Sequence, residues 1–112
     1  MSEPIRPGLL VRDRYDRLGI VRDRAKRPSE SWLRDQERPI SDEHASGAWW
    51  TVLPLTGGAV LSPEPLLTPL RQATYEDFLQ AVESANQAGV KSLAALFPDY
   101  AQTALRTNRN SR

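Results

Sequence analysis

The stretch Gly8–Arg24, GLLVRDRYDRLGIVRDR, limits what this chain can fold into more than any other segment. The tetrapeptide VRDR occurs at Val11–Arg14 and again at Val21–Arg24, and the polar link Tyr15-Asp16-Arg17 follows its first copy. Two short runs containing β-branched residues on either side of a polar link predict a β-hairpin. Setting Val11 opposite Val21 puts both valines and Gly19 on one face. Arg12, Arg14, Arg22 and Arg24 then project from the other, because successive strand residues point to opposite faces.

Further strands follow. Ala25 to Gly47 is a long polar connection with Pro28 and Pro39, the kind of loop that is functional or mobile. Within it Ser31–Arg34 reads as a short strand or as a segment that lays Trp32 over the sheet. Ala48–Leu55, AWWTVLPL, is the most strand-like run. Thr56-Gly57-Gly58 supplies a hairpin turn, since glycine adopts positive φ, and Ala59–Ser62 is the returning strand. Pro63-Glu64-Pro65 breaks that strand, and Leu66-Leu67 adds a last short pairing. From Thr74 the pattern becomes helical. Thr74 can cap with Asp77 three residues on, and Tyr75, Phe78, Leu79, Val82 and Ala85 keep helical spacing as far as a stop at Gly89. Leu93, Leu96 and Phe97 predict a second helix ending before Pro98, and Tyr100–Arg106 a third.

The series Gly8-x-x-Val11, Gly19-x-Val21, Trp50-x-Val52, Gly58-x-Val60 and Leu66-Leu67 resembles the five short strands of SH3-like barrels of the broad Tudor and KOW type. The resemblance covers roughly Pro7 to Leu70. It implies glycines where the sheet bends and alternate valines filling a narrow interior. The expected fold class is α+β: a small SH3-like antiparallel β-barrel over residues 1–70 with a long 25–47 loop, C-terminal helices over 71–106 packed on the barrel, and a disordered tail over 107–112. Val11, Val21, Val52 and Val60, joined by Leu66 and one of Trp49 and Trp50, form the expected core.

Charge is unevenly placed. Ile5 to Pro28 holds eight basic and three acidic residues, whereas the chain as a whole carries a formal net charge of only +1. Arginine outnumbers lysine 13 to 2, which reflects either planar, bidentate recognition of phosphate or carboxylate or codon bias. The face formed by Arg12, Arg14, Arg22 and Arg24, with Lys26 and Arg27, is therefore one candidate surface, for nucleic acid, with Tyr15 and Trp32 as stacking platforms. The interleaved Asp13, Asp16 and Asp23 oppose it, since pairing with them neutralises the arginines. The second candidate surface is for a protein partner and comprises the long loop with Trp32, Trp49 and Tyr15. Trp49 and Trp50 point to opposite faces, so one joins the core and the other is covered by the loop, by the helices or by a partner. Loop-anchored Trp32 with Arg34 to His44 left free for contacts is the preferred arrangement.

Chemistry has little to build on. His44 is the sole histidine, and its neighbours Ser41, Asp42, Glu43 and Ser46 belong to one short loop that cannot enclose a reacting group. There is no cysteine, no spaced set of metal ligands and no phosphate-cradling glycine motif, so no catalytic residue, metal or cofactor is expected. No apolar run approaches the ~20 residues of a membrane helix, and MSEPIRPG lacks the apolar core of a secretory leader. The expectation is a cytoplasmic, non-catalytic binding or adaptor module for a protein partner, with nucleic-acid association as the alternative and the oligomeric state open.

Overall fold

The computed structural model describes residues 4–110. Its strands are β1 (Leu9–Arg12), β2 (Leu18–Ala25), β3 (Trp49–Pro54), β4 (Val60–Pro63) and β5 (Thr68–Gln72). Two short helices, α1 (Glu30–Arg34) and α2 (Asp42–Ala45), interrupt the β2–β3 connection, and a single 3-10 turn, Glu64–Leu66, precedes β5. Helices α3 (Tyr75–Ser84), α4 (Gln87–Leu96) and α5 (Pro98–Asn110) complete an α+β chain. The five strands make one antiparallel sheet in the order β4-β3-β2-β1-β5.

The first hairpin forms, but Val11 lies opposite Gly19 and Leu10 opposite Ile20, so Val11 does not face Val21. Asp13 decides this. Its backbone N–H donates to the Arg17 carbonyl at 2.9 Å, and its carboxylate accepts the backbone N–H groups of Tyr15 and Arg17, both at 2.9 Å. The turn therefore centres on Tyr15 and not on Asp16, which takes the left-handed φ of 65° that a short polar side chain tolerates. The resulting shift is even, so the two valines still share a face.

The arginine row does not survive. β2 pairs Val21 with Val52 and then Asp23 with Thr51, which leaves Arg22 as the extra residue of a β-bulge. Past a bulge the alternation of faces is reversed. Arg24 thus falls opposite Trp50, with its guanidinium 5.3 Å from the Trp50 ring centroid. Arg12 stays on the opposite face and Arg14 belongs to the turn.

Both faces of the sheet are buried, which is why β3 is buried at all six positions. On the valine face Leu9, Val11, Val21, Trp50, Val52 and Leu67 pack together, with Val60 at the margin. Leu67 takes the place expected for Leu66, which packs instead against the cluster around Trp49. Gly19 lets β3 approach closely on this face: a Cβ there would sit 2.7 Å from Val52 Cγ1. On the other face Leu10, Ile20, Leu53 and Leu55 meet Phe78 and Ala81 of α3, Leu93 of α4, and Phe97.

The sheet is not closed into a barrel. β4 pairs only with β3, and β5 only with β1. Proline is the physical reason: Pro63 in β4 and Pro69 in β5 each remove a donor that a β4–β5 ladder would need, and Pro65 sits in the turn between them. Leu66 accordingly ends the 3-10 turn, Leu67 is an extended link, and the last strand begins at Thr68.

α3 begins with the expected capping box between Thr74 and Asp77. Gly89 does not stop it. α3 ends at Ser84, and Asn86 caps α4 by accepting the Gly89 N–H at 2.8 Å. Gly89 lies in the first turn of α4, where a Cβ would come 2.9 Å from Ala85 Cβ. The last helix runs through Asn110, into the tail expected to be disordered, and residues 111–112 lie outside the described residues.

Candidate functional site

The long loop is not a bare connection. Serine starts each of its helices: Ser29 Oγ accepts the Trp32 N–H and Ser41 Oγ accepts the His44 N–H, both at 3.2 Å. Ser31–Arg34 is therefore helical and not a strand. A short amphipathic turn buries Leu33, and Ile40 and Ala45 follow it onto Trp49. Trp32 packs edge-to-face on Trp49, with ring centroids 6.0 Å apart and planes at 79°.

This packing corrects one candidate. Trp49 is 1% exposed, and its indole N–H donates to the Ala45 carbonyl at 2.9 Å, so it offers nothing to a partner. Trp50 is buried as well, with its indole N–H on Glu64 Oε1 at 2.9 Å. The loop covers one tryptophan and the valine core takes the other. Trp32 remains half-buried, as does Tyr15.

Tyr15 sits among three guanidinium groups. Those of Arg14, Arg17 and Arg38 lie 4.8, 5.2 and 5.3 Å from its ring centroid. Arg14 Nη1 donates to the Arg38 carbonyl at 2.5 Å and Nη2 to Gln36 Oε1 at 3.3 Å, while Arg38 Nη1 donates to the Arg14 carbonyl at 3.2 Å. These bonds tie the hairpin turn to the stretch after α1 across 24 positions of sequence. Between them runs a groove of about 330 Å³, lined by the turn, by Trp32 and Gln36, and by residues 59–62.

The charges in and beside this groove are unequally compensated. Arg17 Nε meets the buried Asp13 carboxylate at 3.0 Å. Arg14 and Arg38 have no carboxylate partner among the described residues, and the loop acids Asp35 and Glu37 are exposed and bridge to neither. Elsewhere the arginines expected to make a nucleic-acid face are dispersed into local pairs: Arg12 with Asp16 at 3.3 Å, Arg22 with Asp23 at 3.1 Å, and Arg27 with Glu30 at 2.9 Å. Arg24 stacks on Trp50, and Lys26 is exposed. Of the six expected residues only Arg14 lines the groove. Gln36 joins it unforeseen, and Arg38 stands beside it on the Tyr15 ring and the Arg14 carbonyl, because nothing local in their sequence marks them.

His44 lies on α2 beside Ser41, whose oxygen caps the helix, and Ser46, whose hydroxyl donates to the Glu43 carbonyl at 2.9 Å. Among the described residues no three metal-ligating side chains gather, and no helix is long and apolar enough to cross a membrane. No protein-family model, curated protein or solved structure matches the chain.

Proposed function

We propose that this chain is a non-catalytic binding module that takes a protein partner in the groove between the β1–β2 turn, α1 and β4. The observation that carries this reading is the pairing of Tyr15 and Trp32 with the uncompensated Arg14 guanidinium in one concavity, with Arg38 tied to Arg14 and Tyr15 beside it. Half-buried tyrosine, tryptophan and arginine are the side chains that most often carry binding energy at interfaces. The dispersal of Arg12, Arg22 and Arg27 into ion pairs weighs against a nucleic-acid face. The meander of short strands with alternate valines filling one interior supports reading the sheet as SH3-like, left open between β4 and β5. That likeness concerns the fold and does not choose a ligand.

Selection of an unbiased displayed-peptide library on the folded protein tests the function. Enriched peptides should lose at least about tenfold in affinity on Tyr15→Ala and on Trp32→Ala, each verified as folded by circular dichroism. Peptides indifferent to both replacements, or failure to enrich any, would overturn the reading. Binding of single-stranded oligonucleotides that weakens steeply with salt and with Arg12→Ala/Arg22→Ala would move the function to nucleic acid.

A further inference from the structure

We infer that the partner segment is an extended, acidic peptide that adds as a strand to the free edge of β4 and sets its carboxylates against Arg14 and Arg38. The inference rests on the groove being the partner site.

The lining of the groove points to an edge. Val60, Leu61 and Ser62 are consecutive in β4 and all three line it, with Ala59 just before them. A sheet face presents every second residue, so an unbroken run is offered only by the rim of a strand. β4 is hydrogen-bonded on one side alone, to β3. The Glu64 N–H donates to the Ala48 carbonyl at 2.9 Å, which makes that pair a hydrogen-bonded one. Alternation along an antiparallel ladder then makes Trp50–Ser62 and Val52–Val60 hydrogen-bonded pairs and turns the N–H and C=O of Leu61 outward. An outward donor and acceptor at a sheet edge are the template for an added strand.

Charge selects the occupant. Pro63 limits the free edge to a short stretch, so the main chain alone makes few bonds and side chains must supply the rest. Arg14 and Arg38 are held by neutral acceptors and by the Tyr15 ring, which fixes their positions and leaves their charge uncompensated. Guanidinium groups so placed favour carboxylates, with their matching planar geometry. The chain's own terminal TNRNSR is basic and would meet like charge. A second copy pairing β4 to β4 would bring two arginine clusters together. A nucleic acid has no peptide backbone to continue the ladder.

Peptides selected without bias on the full chain provide the test. The pool that depends on Trp32 should be enriched in Asp and Glu. Binding should slow hydrogen exchange at the Leu61 amide, and methylating the peptide's backbone nitrogens should abolish it. Arg38→Gln should weaken binding by about tenfold and Arg38→Lys by less. A Trp32-dependent pool that is not acidic, or that leaves Leu61 exchange unchanged, overturns this inference while the groove reading stands. Absence of any Trp32-dependent pool overturns both. Displacement of the peptides by single-stranded oligonucleotides of equal charge assigns Arg14 and Arg38 to phosphate and overturns the inference as well.

Discussion

Asp77 shows how one side chain can secure a junction. Its Oδ2 accepts the Thr74 backbone N–H at 2.9 Å and Arg71 Nη1 at 2.6 Å, while its own N–H donates to Thr74 Oγ1 at 3.2 Å. Burial by itself would raise the carboxyl's pKa. The hydrogen bonds from Arg71 and Thr74 outweigh that effect and hold it below the ordinary aspartate range. The folded state therefore binds this proton more weakly than the unfolded chain. The stabilisation is complete above the unfolded aspartate value of about 3.9, and it is lost as pH falls through the lower folded value. A carbon-detected NMR titration should find Asp77 below about 3.9. Arg71→Gln should raise that value and shrink the fall in Tm between about pH 6 and pH 3. An unchanged titration in the variant would mean that the ion pair contributes nothing.

At the scale of elements, the long loop is held by its apolar side chains more than by its two short helices. A four- or five-residue helix is unstable alone, so α1 and α2 persist because Leu33, Ile40 and Ala45 pack with Trp32 on Trp49. Trp32→Ala removes the edge-to-face ring contact, worth about 0.5–1.5 kcal/mol beyond its buried area. Amide exchange from Leu33 to Ala45 should accelerate in that variant while β1 and β3 keep their protection. Uniform acceleration across the sheet would show that the loop is integral to global folding and not a locally anchored element. The β2 bulge acts at the same scale. One extra residue at Arg22 sends Arg24 onto Trp50 and breaks up a row of like charges that a regular strand would have aligned.

For the whole molecule, sheet and C-terminal helices make one core. Phe78 packs with Leu10, Ile20 and Leu53 on one side and within 5.9 Å of the Phe97 ring and 5.8 Å of the Tyr100 ring on the other. Tyr100 also donates from its hydroxyl to the Ala73 carbonyl at 3.1 Å, pinning α5 to the end of β5. Helices and strands should then unfold together. Far-UV circular dichroism, which weights the helices, and tryptophan fluorescence, which reports β3 and the loop, should trace the same transition. Phe78→Ala should lower both midpoints equally, with a loss of about 3–5 kcal/mol. Separated transitions would make the helices an appendage.

What the amino-acid order determined by itself is what acts over a few residues. Alternating valines and a turn of two glycines made the strands legible, the Thr74–Asp77 capping box announced α3, and Pro98 separated the last two helices. Each signal is a backbone preference or a cap whose partners lie within about one turn. The hairpin register was also local, set by the Asp13 carboxylate on the Tyr15 and Arg17 N–H groups, a turn that the repeated VRDR tetrapeptide masked. The bulge at Arg22, the burial of Trp49 and the Arg14–Arg38 link were decided only in three dimensions. Trp32 and Arg38 acquired their roles by packing against residues far away in sequence, across distances where composition and periodicity carry no geometric information.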